Sequence, residues 1–162
     1  MKKNILVVDD SALMRMVMCD ILNADQRFTV ADRAKNGKEA LDLLSKNKYD
    51  AVVLDVNMPV MGGLELLKEL QVRKIPARVM MASTDTRDGA KVTMDALELG
   101  ALDFVHKSAN IKNNRTEEFQ KNFCETLYAV ASSREPTFGR TVSLDRIKSD
   151  KKFVSMVKKH NI

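Results

Sequence analysis

At 162 residues, 44% of them apolar, the chain is long enough for one ordinary domain with a sizeable core and some length to spare. Its opening, MKKNILVVDD, is basic like a secretory signal, but the apolar run stops after four residues in two carboxylates, which excludes a signal peptide or membrane insertion as the reading of this segment. The formal charge of +5 lies wholly in the last third, since Met1 to Lys107 carries 16 Lys and Arg against 16 Asp and Glu, and Ser108 to Ile162 carries 11 against 6. A basic tail of this kind is usually a solvated surface, and nucleic acid is not expected as a partner. Cys19 and Cys124 are far apart, lack metal-ligand spacing and fall in helical patterns. They read as reduced thiols, and a cytoplasmic setting follows.

Taken in chain order, apolar runs and helical patterns alternate. NILVVDD reads as a first strand and SALMRMVMCDILNA as the helix after it, with Ser11 as its N-cap. RFTVADRA is a second strand, and in the following helix NGKEALDLLSKN the residues Ala40, Leu41 and Leu44 share a face. YDAVVLDV and GGLELLKELQVRK form the third pair, with Pro59 between them and Leu64, Leu67 and Leu70 on the helix's apolar side. RVMMAST precedes a fourth helix placed over GAKVTMDALELG, and LDFVHK precedes a fifth over NNRTEEFQKNFCETLYAVASS.

Apolar runs without polar alternation indicate strands buried on both faces, as in a parallel sheet between two layers of helices. Five β-α units with right-handed crossovers predict an α/β fold, a doubly wound five-stranded parallel sheet with five helices, over residues 1–133. Pro136 and Gly139 then break the pattern. Residues 134–162 read as a basic linker or tail, too short for an independent domain. The segment DKKFVSMVKKH, with Phe153, Val154 and Val157 among lysines, suits a docking helix or a membrane-surface helix, and a linker segment is the better reading.

In an open parallel sheet all strands end at one edge, and ligands bind there. The polar residues that close the apolar runs therefore converge: Asp9 and Asp10 from the first strand, Asp55 from the third, Ser83 and Thr84 from the fourth, Lys107 from the fifth. Three carboxylates and one ammonium leave a charge of about −2, and each like-charge pair at ~4 Å costs about 4 kcal/mol at an effective dielectric near 20. Such a cluster calls for a counter-ion or raised pKa values. All-oxygen donors without His or Cys select a hard divalent cation, and an exposed, partly hydrated site fits Mg²⁺. Asp10, Asp55 and the backbone carbonyl of Asn57 are the expected direct ligands, with Asp9 acting through water. In this setting Asp55 is placed to attack a phosphoryl group. Lys107 and the metal would neutralise the equatorial oxygens, and Ser83 would donate a hydrogen bond. Drawing Ser83 toward the phosphoryl group would open space into which Phe104 could move.

These residues together resemble the bacterial response-regulator receiver domain over roughly the first 130 positions: the Asp pair after strand one, Asp55 within LDVNMPVMGG, a hydroxyl residue ending strand four and Lys107 in strand five. The resemblance implies a flavodoxin-like sheet with strand order 2-1-3-4-5. It also implies phosphoryl transfer to Asp55 from a sensor histidine kinase, with Asn57 and Asp85 tuning the lifetime of the phosphate. VDDSALMR, ASTDTRDGAKVT and ALELGALDFVHK are similar, more narrowly, to the regulatory half of the chemotaxis protein-glutamate methylesterase. In that family the unphosphorylated receiver covers the catalytic face, and phosphorylation relieves the block. The esterase's Gly-rich Ser loop, His and Asp are not in this sequence, so the implied partner is a methylesterase domain, attached or separate. A phosphorylation-dependent dimer is left open. Two positions depart from the family pattern: Ser108 stands where Pro usually follows a cis peptide, and Gly62 where Asp is frequent.

Other readings compete. A stand-alone chemotaxis-type adaptor would share the same chemistry. A small aspartyl-phosphate phosphatase would want an acid two residues after the nucleophile, where Asn57 stands. A flavin carrier would want a Ser/Thr/Gly phosphate loop after the first strand, and a DNA-binding helix-turn-helix would need more than the remaining thirty or so residues.

Overall fold

Ile5, Leu6, Val7 and Val8 are all wholly buried, because strand side chains alternate between faces and both faces here are covered. The structure, a computed structural model, describes residues 2–84, 87–108 and 111–136. Its elements run β1 (Lys3–Val8), α1 (Ala12–Asn23), β2 (Phe28–Ala34), α2 (Gly37–Lys46), β3 (Ala51–Asp55), α3 (Gly63–Val72), β4 (Val79–Thr84), α4 (Arg87–Glu98), β5 (Asp103–Lys107), a 3₁₀ turn (Ile111–Arg115) and α5 (Glu117–Ala131). The strands form one sheet in the order β2-β1-β3-β4-β5, with every neighbouring pair parallel. This is the doubly wound, flavodoxin-like arrangement expected from the sequence.

Alternation along the strands sorts the core into two layers. Ile5, Val7, Val53, Met80, Ala82 and Val105 pack with α1 and α5 on one face. Leu6, Val8, Leu54, Met81 and Phe104 pack on the other, against α2, α3 and α4. The edge strand β2 is covered less completely: its side chains alternate between buried and more open positions, and its pairing with β1 slips by one residue between Ile5 and Leu6.

The helix starts follow their caps. Ser11 Oγ accepts from Met14 N–H at 3.2 Å, and Asn36 Oδ1 accepts from Glu39 N–H at 2.9 Å, each satisfying a donor that the first turn leaves open. At α3 the cap is Gly62, which offers no side-chain bond. Two sequence-based boundaries are corrected. Helix α4 starts at Arg87, two residues before the expected Gly89. The expected fifth helix from Asn113 is divided: the 3₁₀ turn comes first, and α5 begins only after Thr116, whose Oγ1 accepts from Phe119 N–H at 3.1 Å.

The close approach of α3 to the end of β3 requires Gly63. Its N–H donates to Val56 O at 2.9 Å, and a Cβ at this position would lie 2.5 Å from Asp55 O and 3.1 Å from Val56 Cα. Backbone on both sides leaves no flexible neighbour to give way. Gly63→Ala is expected to lower stability by about 1–3 kcal/mol, read as a lower urea midpoint with an unchanged slope.

Candidate functional site

The first acid is fixed by the turn that leaves β1. Asp9 N–H donates to Ala34 O at 3.1 Å, continuing the sheet one residue past the strand. Its Oδ1 accepts from Ser11 N–H at 2.9 Å, a local turn that also delivers Ser11 to its capping position. Arg15 donates to Asp9 O at 2.6 Å. Asp55 is the last residue of β3, and its Oδ1 accepts from Val56 N–H at 2.8 Å. Lys107 is the last residue of β5. By alternation, Asp55 follows Val53 and Lys107 follows Val105, so both start from the α1/α5 side of the sheet.

The lysine joins the two acids. Its Nζ lies 3.0 Å from Asp9 Oδ2 and 2.9 Å from Asp55 Oδ1, and the three residues are only 8%, 0% and 6% exposed for Lys107, Asp9 and Asp55. Burial pushes the Asp55 carboxyl up to about 6; Lys107 opposes the rise and Asp9 adds to it. Burial also disfavours a charged Lys107, but Asp55 and Asp9 together outweigh it and hold the ammonium above its ordinary range. One cation between two acids leaves the cluster short of positive charge.

Asp10 is exposed, yet one carboxylate oxygen from each of Asp9, Asp10 and Asp55 falls within 4.8 Å of the other two. This donor set, all oxygen and part open to water, fits a hard divalent cation. Asn57 is exposed, two residues past β3. Ser83 is buried on β4 one residue beyond Ala82, the register partner of Asp55. Its backbone pairs with His106, as that of Thr84 does with Lys107. Phe104 is already inside, 2% exposed, with its ring stacked on His106 at 5.6 Å; an inward swing would have to start from another arrangement. Asp85 and the tail from residue 137 onward lie outside the described residues.

Two residues at the site went unread in the sequence. Asn114, 1% exposed, accepts from Ser108 N–H at 2.8 Å and donates to Ser108 O at 2.8 Å. It thus closes a two-bond ring on the residue after Lys107. Among the described residues no peptide bond is cis, and the N–H that Ser108 has and Pro lacks is used. Nothing distinguishes Asn114 from its neighbour Asn113 in sequence. The other is Thr93 of α4, wholly buried, whose Oγ1 lies 2.6 Å from Ser83 Oγ.

Residues 5–116 match the family model described as the response regulator receiver domain, and the chain belongs to that family. A protein-glutamate methylesterase/protein-glutamine glutaminase of Photobacterium profundum is 43% identical over 118 residues, covering 72% of this chain and 30% of the relative. One from Pyrococcus abyssi is 40% identical over 152 residues, covering 93% of this chain and 41% of the relative. The chain thus spans well under half the length of these curated relatives. Among solved structures, the response regulator domain of Thermotoga maritima CheB superposes with a TM-score of 0.71 at 33% identity, covering 83% of this chain and 99% of that one. A chain of the CheX-CheY-BeF3-Mg complex from Borrelia burgdorferi gives 0.65 at 26% identity, covering 81% and 90%. Membership makes this a phosphoacceptor regulatory domain, and receiver domains bind Mg²⁺ at an acidic pocket of this kind. Among the described residues no helix is long and apolar enough to cross a membrane.

Without a divalent cation, the folded chain keeps the Asp55 proton up to about pH 6, whereas an unperturbed aspartate releases it near 3.8. The folded state therefore binds more protons between those values, so stability falls as pH rises through the window, by at most about 3 kcal/mol. In EDTA, Asp55→Asn is expected to remove this part of the slope and to unfold at higher urea than the parent above pH 7; adding Mg²⁺ narrows the difference. Asn114→Ala leaves both polar groups of Ser108 without this partner and is expected to cost about 1–3 kcal/mol in the same urea measurement.

Proposed function

We propose that the chain is the regulatory receiver of a chemotaxis protein-glutamate methylesterase, with residues 1–133 as the receiver and 134–162 as a linker toward the esterase domain. The observation that carries the reading is the Lys107 ammonium held 3.0 Å from Asp9 and 2.9 Å from Asp55, with the Asp10 carboxylate in the same cluster. Asp55 is the phosphoacceptor. One of its carboxylate oxygens attacks the phosphorus of a phosphohistidine on the sensor histidine kinase. The new O–P bond forms as the N–P bond breaks, and the departing imidazole takes up a proton.

The chain's residues divide the work by charge. Asp10, Asp55 and the Asn57 carbonyl would hold Mg²⁺, with Asp9 acting through water. That ion supplies neutralisation of the phosphoryl oxygens when bound. Lys107 shifts from bridging two carboxylates to pairing with the phosphoryl group, and the Ser83 hydroxyl donates to one of its oxygens. Phosphorylation replaces a carboxylate with a group of about −1.5 to −2 charge, so these contacts are remade in the phosphorylated state. By the resemblance to the family, Asn57 and Asp85 set how long the phosphate lasts.

The methylesterase assignment draws support from the reach of the similarity. A match covering 93% of the chain runs past the end of α5 at Ala131 into the tail, which favours an attached effector over a stand-alone adaptor. A histidine kinase partner and reduced, buried Cys19 and Cys124 suit the cytoplasm.

Incubation with acetyl phosphate and Mg²⁺ is expected to add one phosphoryl mass to the intact chain. Asp55→Asn and EDTA each abolish the gain, and Lys107→Ala reduces it at least tenfold, about 1.4 kcal/mol of lost stabilisation. Retention of the added mass in Asp55→Asn would sink the assignment of the acceptor.

A further inference from the structure

We propose that Thr93 is a positioning residue for phosphorylation: it holds the Ser83 hydroxyl in the resting state and so sets how readily the phosphoryl group is accepted. The inference rests on the reading of Ser83 as a phosphoryl-binding hydroxyl. Thr93 stands within α4, where the buried stripe facing the sheet is otherwise apolar: Ala90, Ala96 and Leu97. A β-branched hydroxyl residue is a poor choice there on helix propensity, and a hydroxyl in such an interface is costly unless it is bonded. Its Oγ1 lies 2.6 Å from Ser83 Oγ, with Thr93 0% and Ser83 1% exposed.

The direction of Ser83 gives the contact its consequence. Met80 and Ala82 of β4 pack on the α1/α5 face, whereas Met81 packs on the face covered by α4. Ser83 follows Met81 by two residues and bonds to α4, so it points to the side opposite that from which Asp55 and Lys107 start. A serine hydroxyl has one proton to donate, and a phosphoryl oxygen only accepts. To aim that proton at the phosphoryl group Ser83 has to turn away from α4, so the contact with Thr93, in which either hydroxyl can be the donor, has to open. Phosphorylation and the Ser83–Thr93 bond oppose each other, and α4 carries one end of it.

Beryllofluoride, an analogue of the phosphoryl group, gives an equilibrium readout in excess Mg²⁺. Thr93→Val removes the oxygen at nearly constant volume and is expected to tighten beryllofluoride binding three- to tenfold, the scale of one net hydrogen bond. Thr93→Ser keeps the hydroxyl and should restore the parent affinity within about twofold. In a Ser83→Ala background the Thr93→Val change should no longer tighten beryllofluoride binding, because the Ser83–Thr93 bond is already gone. Amides of α4 should exchange faster in ligand-free Thr93→Val than in the parent, and the parent should reach that rate once beryllofluoride is bound.

A purely structural Thr93 would alter unfolding in urea without this coupling to Ser83. Unchanged or weaker binding in Thr93→Val, or an equal tightening in the Ser83→Ala background, would overturn the proposal. If Thr93→Val does not fold, Thr93→Ala is held to the same outcomes. Failure of the underlying reading looks different: the parent chain would bind no beryllofluoride, or Asp55→Asn would bind it as well as the parent does.

Discussion

The Lys107 ammonium between Asp9 and Asp55 is the contact on which the site depends. Neighbouring strands are about 4.8 Å apart, so in this sheet order β5 lies about 10 Å from β3 and about 14 Å from β1. A short side chain at the end of β5 could not reach either acid. The four-carbon stem of lysine can, carrying its charge across β4 while its methylenes stay covered. Strand order and residue type thus answer each other. The energies are balanced in the same way. Each attraction at 3 Å is worth about 5 kcal/mol at an effective dielectric near 20, while taking an ion out of water costs several kcal/mol. The two buried acids also repel. Attraction and cost are of the same size, which leaves a cluster whose charge state responds to whatever enters it.

That responsiveness is confined by rigid surroundings. Asp9 is tied at its N–H, its carbonyl and its carboxylate, and Asp55 is backed by a helix start too close to admit even a Cβ at Gly63. The acids therefore cannot relax apart to relieve repulsion. Relief has to come as a proton on Asp55, held to about pH 6, or as a cation. On the opposite face Ser83 and Phe104 are as buried as the acids but are paired with a threonine hydroxyl and an imidazole ring. Charge is handled on one side of the sheet and hydroxyl and ring packing on the other. β4 joins them, since Ala82 is the register partner of Asp55 and Ser83 is the next residue.

Much of this was legible in the sequence because a buried parallel strand has a sharp end. ILVV stops at Asp9, AVVL at Asp55 and DFVH at Lys107, and a polar residue closing an apolar run marks the strand's carboxyl edge. Ser11 announced α1 through its cap. The start of α4 was misplaced because Gly89 looked like a boundary, whereas the helix runs through it from Arg87. α5 was drawn too long because a 3₁₀ turn and an α-helix share similar polar starts; only the Thr116 cap divides them. Thr93 and Asn114 were invisible for a different reason. A single polar residue in a helical stripe or a loop acquires meaning from a partner distant in sequence or from a backbone group, and neither leaves a periodic trace.

Asn114 also explains how the chain manages with serine after Lys107. A proline there would fix the backbone by its ring and offer no N–H. Here the same stretch is fixed by hydrogen bonds: the Asn114 amide accepts from Ser108 N–H and donates to Ser108 O, both at 2.8 Å, imitating a strand partner for one residue beyond the sheet. The amide also lies 3.5 Å from Met14 Sδ on α1, and Met14 N–H is the group that Ser11 caps. Lys107 is therefore held by β4 on one side and by a ring anchored against the first turn of α1 on the other. Since Asp9 belongs to the turn that opens α1, both ends of the Asp9–Lys107 ion pair are registered against the same helix.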